Sequence, residues 1–149
     1  MSGWGPDRRL AGFETKSFAF PDDYDGPVTA TLVRLAAPHA PRGAVLYVHG
    51  FIDYFFQRHL AERFAQEGYA FHAVDLRKHG RSLLPHQHPC FCRSLSEYYA
   101  DISRALVCRD DTTRLCAFTR DAAFQPLDRV DQRWRQDGVS ESAQFVVCR

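Results

Sequence analysis

AVLYVHGFIDYFFQRHLAERFAQEGYAFHAVDL, residues Ala44 to Leu76, is the stretch that decides the fold. Its first five residues, Ala44–Val48, are apolar at every position. A strand with one wet face alternates; an unbroken apolar run fits a strand buried on both faces, as in a parallel sheet covered by helices. Phe56, Leu60 and Phe64 then recur every four residues, with Ala61 and Ala65 beside them, while Arg58, Glu62, Arg63, Gln66 and Glu67 fall elsewhere. That spacing predicts an amphipathic helix, and Gly68 is placed to cap its C-terminus. Tyr69–Leu76 is strand-like again. Strand, helix and strand in this order make a βαβ unit, whose crossover is right-handed.

Toward the N-terminus, Phe13–Phe20 alternates apolar and polar, and Val28–Ala37 opens on β-branched residues. Both read as strands. The cluster PDDYDGP between them marks a connection, so the pair reads as an antiparallel hairpin with a long loop. Residues 1–12 carry no pattern and read as a flexible N-terminus. Toward the C-terminus, RKHGRSLLPHQHPCFC is a polar loop. Ser94 and Glu97 then form an S-x-x-E capping box, and Leu95, Tyr98, Tyr99, Ile102, Ala105 and Leu106 follow at helical spacing. These signals predict an α/β fold over residues 13–106: a hairpin, then a parallel βαβ with helices packed on the sheet. Residues 107–149 have no sustained period, and seven Arg alternate with six Asp and one Glu without marking a face. A short helix near Leu127–Arg135 and a terminal strand at Phe145–Cys148 are the only elements expected in this irregular tail.

Composition narrows the function. With 149 residues and a formal net charge of +1, the chain has room for one cored domain and no field that attracts nucleic acid or a charged membrane. Lys occurs only at Lys16 and Lys78, and the Arg are spread along the chain. The N-terminus lacks the apolar segment of a signal peptide, and no apolar run reaches the roughly 18 residues that span a bilayer. Five Cys without a scaffold spacing point to a reducing, cytoplasmic compartment. Neither nucleotide-binding glycine motif is present.

The end of the first strand is where chemistry is expected. In open α/β sheets, ligands bind beyond the carboxyl ends of the strands. His49-Gly50 stands at such an end, and Gly50 lets the chain turn so that the Phe51 N–H faces the crevice. A backbone N–H held there stabilises an oxyanion. VLYVHGFIDYFF, the amphipathic helix and GYAFHAVDLRKHGRS together resemble the N-terminal half of an α/β-hydrolase. The resemblance is to the serine aminopeptidase (S33), monoacylglycerol-lipase and lysophospholipase-like branch. It includes a D-x-R-x-x-G-x-S pattern matched by Asp75, Arg77, Gly80 and Ser82. It implies serine acyl transfer on a small ester, lipid or peptide substrate, with no cofactor. It also implies that Phe51 N–H is one oxyanion donor, that His49 and Gly50 shape that loop, and that Ser82 is structural. A buried imidazole bonded to nearby backbone is the expected state of His49.

The rest of such a site is not legible. The family's nucleophile lies in G-x-S-x-G, followed along the chain by an acid and then a His. Gly80–Leu84 and Gly138–Ser142 are near matches that each lack the last Gly, and the last His is His88. A triad made from Ser82, Asp75 and His79 needs three loop residues to converge. No complete catalytic set is therefore expected. Two explanations fit: a truncated hydrolase whose reading frame shifts near Leu106, or a short non-enzymatic binding module. Either leaves Ala44–Val48 as an apolar sheet edge, a template for self-association. A rival reading takes His86, His88, Cys90 and Cys92, alternating in HQHPCFC, as metal ligands. Four ligands within seven residues rarely close a tetrahedron, so a polar loop is the simpler expectation.

Overall fold

The computed structural model describes residues 3–36, 39–107 and 144–148. Six strands form one sheet in the order β1-β2-β3-β5-β4-β6. They are β1 (Gly5–Pro6), β2 (Phe13–Asp23), β3 (Gly26–Leu35), β4 (Gly43–Val48), β5 (Tyr69–Asp75) and β6 (Gln144–Cys148). Helix α1 (Arg58–Gln66) links β4 to β5, and α2 (Tyr98–Val107) follows a 3₁₀ turn at Leu95–Glu97. β4 and β5 are parallel, with Gly43 opposite Tyr69 and Val48 opposite Val74. Every other strand pair is antiparallel.

The unbroken apolar run of β4 has the expected cause, because the sheet is covered on both faces. On one, α1 lays Leu60 and Ala61 against Phe13, Val33, Val45, Tyr47, Phe55 and Phe71. On the other, Ala105 of α2 joins Phe18, Leu32, Leu46, Val74 and Leu76. Each fully buried side chain of this size contributes about 1.5–3 kcal/mol. Gly68 ends α1 at φ +87, where a side chain would be strained. Its N–H bonds Ala65 O at 3.0 Å. The Ser94/Glu97 capping box forms as read and opens the 3₁₀ turn ahead of α2.

Four expectations are corrected. The hairpin connection is short, because β2 continues through Pro21–Asp23 and only Tyr24 and Asp25 turn the chain. Asp23 Oδ1 closes that turn by accepting Asp25 N–H at 2.7 Å. Phe56 is exposed and precedes α1; the buried ring is Phe55, whose N–H is pinned by Asp75 Oδ1 at 2.9 Å. The N-terminal residues are tied down over 3–12, since β1 pairs with β2 and the Asp7 carboxylate is buried against Arg81. Finally, β4 is not the sheet edge. β6 pairs with it antiparallel, Gln144 opposite Val48 and Cys148 opposite Ala44, and takes the edge position itself. The backbone groups of β4 are thereby satisfied on both sides. The helix expected near Leu127–Arg135 and the Gly138–Ser142 segment lie outside the described residues.

Candidate active-site crevice

The C-terminal ends of β4 and β5 release two loops side by side, and the imidazole of His49 bridges them. Leu76 N–H donates to His49 Nε2 at 3.0 Å. Nε2 must then carry the lone pair, so the proton is on Nδ1, which donates to Gly50 O at 2.8 Å. Both nitrogens are committed to backbone, and the ring is buried. His49 is a spacer between the two strand ends.

Beyond it, Phe51 and Ile52 are 73% and 72% exposed, and Ile52 has φ +55. A β-branched residue in the left-handed region is strained, so this loop is held open by what surrounds it. Among the described residues, Phe51 N–H meets no acceptor.

The second loop is built of partnered charges. Asp75 is fully buried; Oδ1 accepts Phe55 N–H, and Oδ2 accepts Arg81 N–H at 3.0 Å and its guanidinium at 2.9 Å. Arg81 also donates to Phe55 O at 2.8 Å and to Asp7 Oδ2 at 2.6 Å. Burial alone raises the Asp7 carboxyl, and the bonds from Arg81 and Arg9 N–H more than offset it, so its pKa falls below the ordinary value. Arg77 grips Asp101 of α2 through Nε and Nη2, at 3.0 and 2.7 Å to Oδ1, and its N–H donates to Asp101 Oδ2 at 2.9 Å. Lys78 is fully buried between Asp23 and Asp25, each at 2.9 Å, with its ammonium 4.0 Å from the centre of the Tyr24 ring. Gly80 has φ +47, and a Cβ there would press into Tyr54 and lie 2.6 Å from Asp75 Oδ2. Only glycine fits that position.

This geometry answers the triad question. Ser82 is fully buried and its Oγ donates to the Asp75 carbonyl oxygen at 2.6 Å. His79 Nδ1 faces Arg77 O at 2.8 Å, and burial pushes its pKa down. The Asp75 carboxylate is taken up by Phe55 and Arg81. Ser82, His79 and Asp75 are neighbours that form no relay. Nor do the four residues of HQHPCFC converge. His86 Nε2 meets Pro27 O at 3.2 Å, His88 Nδ1 meets Asp25 at 3.1 Å, and Cys90 and Cys92 are free thiols. Among the described residues no three His, Cys, Asp or Glu side chains gather as a metal site.

The family model of the serine aminopeptidase S33 hydrolases matches residues 39–115, just over half the chain. This protein belongs to the S33 serine aminopeptidase family. The match covers β4, α1, β5, the loops that leave the two strands, and α2. A search of curated proteins finds no match to the chain. Family membership brings a small-molecule substrate, and no helix among the described residues is long and apolar enough to cross a membrane.

Asp101, Asp7, Asp23 and Asp25 escaped the sequence reading. For Asp101 a signal existed: it lies inside the apolar spacing of α2, next to Ile102 and four residues before Ala105. An acid on the buried stripe of a helix requires a buried cation.

Proposed function

We propose that this S33-family chain is a hydrolase scaffold. It would receive a small ester, lipid or peptide carbonyl at the mouth of the β4 and β5 loops, with Phe51 N–H as oxyanion donor, and would not turn it over. A donor of this kind lowers the barrier to acyl transfer only when a nucleophile and a base face the same carbonyl. The observation that carries the reading is that, among the described residues, Ser82, His79 and the Asp75 carboxylate make no hydrogen bond to one another. Ser82 Oγ, His79 Nδ1 and both Asp75 oxygens are spent on backbone or Arg81. The sense of β6 agrees. A nucleophile elbow follows the C-terminal end of a strand on the crevice side, whereas the C-terminal end of β6 lies opposite Ala44, at the far end of β4.

Two origins suit such a scaffold: a frame shift near the Leu106 codon, or a chain used for binding alone. The nucleotide sequence after that codon separates them, since a G-x-S-x-G in another frame supports the first. We place the protein in a reducing, cytoplasmic compartment, on the free thiols of Cys90 and Cys92.

The test is the full chain with a p-nitrophenyl ester and with a fluorophosphonate probe, beside Ser82→Ala. We expect hydrolysis at the buffer rate and no serine labelled. Activity that disappears in Ser82→Ala would establish the triad the geometry denies, and activity that survives it would require a nucleophile elsewhere.

A further inference from the structure

We propose that β6 is a dimerisation edge, where a second copy of this chain pairs its own β6, antiparallel across a two-fold axis. The sheet ends in β1 on one side and β6 on the other. The two ends differ in what they offer a further strand. β1 is two residues long, Gly5–Pro6, and Pro6 has no N–H to donate. β6 runs over five residues, Gln144–Cys148, and holds neither a proline nor a charge. Short length, proline and charge are the devices that keep an edge from pairing. β1 has two of them and β6 has none.

One side of β6 is used. It pairs with β4, from Gln144 opposite Val48 to Cys148 opposite Ala44. Among the described residues no strand lies along its other side. Successive residues of a strand direct their N–H and C=O to opposite sides, so part of the β6 backbone presents donors and acceptors outward.

Symmetry makes a second β6 the fitting occupant. A two-fold axis at Val146 sets Val146 against the partner's Val146, Phe145 against the partner's Val147 and Gln144 against the partner's Cys148. No two charges meet in that register. The contact is isologous, so each copy spends the same edge. The joined sheet then ends in β1 on both sides, and growth stops at two copies. Each β4 is antiparallel to its own β6. The two β4 strands therefore run in opposite senses, and their loops leave at opposite ends of the joined sheet. Pairing leaves both crevices open, so it does not depend on the function proposed above.

The experiment is sedimentation velocity of the full chain over a concentration series, beside Val146→Lys and Val146→Glu. The axis passes through position 146, so each variant sets a charge against its own copy. We expect the unsubstituted chain to pass from monomer to dimer as concentration rises. Each charged variant should self-associate about tenfold more weakly, and an equal mixture of the two should dimerise again. A chain that stays monomeric, assembly beyond two copies, or a dimer indifferent to both charges would overturn the proposal. Slow amide exchange along the outward side of β6 in the monomer would do the same, by showing that another part of the chain already covers the edge. If the charged variants fail to fold, Val146→Cys reads the same contact in a chain whose five native Cys are Ser. Mild oxidation should join two copies at position 146, because directly opposed residues lie within the Cα range a disulfide spans. Phe145→Cys in that background should stay uncrosslinked, since its two copies are diagonal. Equal cross-linking at both positions would sink the two-fold register.

Discussion

The loop leaving β4 carries Phe51 and Ile52 into solvent, while the loop leaving its neighbour β5 buries Arg77, Lys78, His79 and Ser82. The two strands are parallel and in register, so the loops start from the same end of the sheet. One is apolar and exposed, the other charged and buried, the reverse of what composition alone suggests. The difference lies in partners. Each charge of the β5 loop meets a carboxylate from another part of the chain: Asp101 from α2, Asp7 from the N-terminal segment, Asp23 and Asp25 from the hairpin turn. The β5 loop is therefore the bolt that fastens α2, the N-terminus and the hairpin to the sheet. The β4 loop leaves Phe51 and Ile52 exposed.

The hardest test of that division is Asp101→Ala. It leaves the Arg77 guanidinium buried without its carboxylate, a change that costs about 3–5 kcal/mol. Equilibrium urea unfolding should show a loss of that size, and α2 should detach first, since Arg77 is its polar anchor. A loss under about 1 kcal/mol would mean that water reaches Arg77 and that the β5 loop is no tighter than its neighbour.

Acid should act on the same contrast more gently. Lys78 and His88 hold the Asp25 carboxyl down to about 2. Burial raises Asp23 and Asp7, but Lys78 and Arg81 pull both below the ordinary value. A carboxylate whose folded pKa is depressed contributes stability that is complete above its unfolded value, near 4, and is lost as pH falls toward the folded value. Between about pH 4 and pH 2, hydrogen exchange corrected for the intrinsic rate should accelerate in residues 76–82. Residues 49–53 should show no matching step. Simultaneous opening of both loops would tie them into one unit.

How much of this could be read beforehand follows from the range of the interactions. The βαβ unit, the Gly68 cap and the Ser94–Glu97 box are local: each is a spacing of four residues or a few, and each stands where the sequence placed it. The bolt is not local. Arg77 reaches Asp101 across 24 positions, Lys78 reaches Asp25 across 53 and Arg81 reaches Asp7 across 74. No period marks such pairs, so RKHGRS looked like a solvated loop. Phe55 and Phe56 were confused for a similar reason. Their order on the helix period favours Phe56, and only the distant Asp75 oxygen turns Phe55 inward. For the crevice, the D-x-R-x-x-G-x-S pattern located the β5 loop without saying what its side chains touch. The Ser82–Asp75 bond came only with coordinates.

The smallest effect comes from the open loop itself. Ile52 has φ +55, a conformation that costs a β-branched residue roughly 1–2 kcal/mol. Its side chain is 72% exposed, so little packing is lost on removal. Glycine adopts the same backbone freely but gains about 0.4–1 kcal/mol of freedom in the unfolded chain. The two terms nearly cancel, with a slight balance toward stability. Ile52→Gly should therefore leave the unfolding midpoint unchanged or raise it by no more than about 1 kcal/mol in stability. A destabilisation above about 2 kcal/mol would show that the Ile52 side chain packs in solution. The β4 loop would then be a second bolt, and the site for a substrate carbonyl would have to be sought elsewhere.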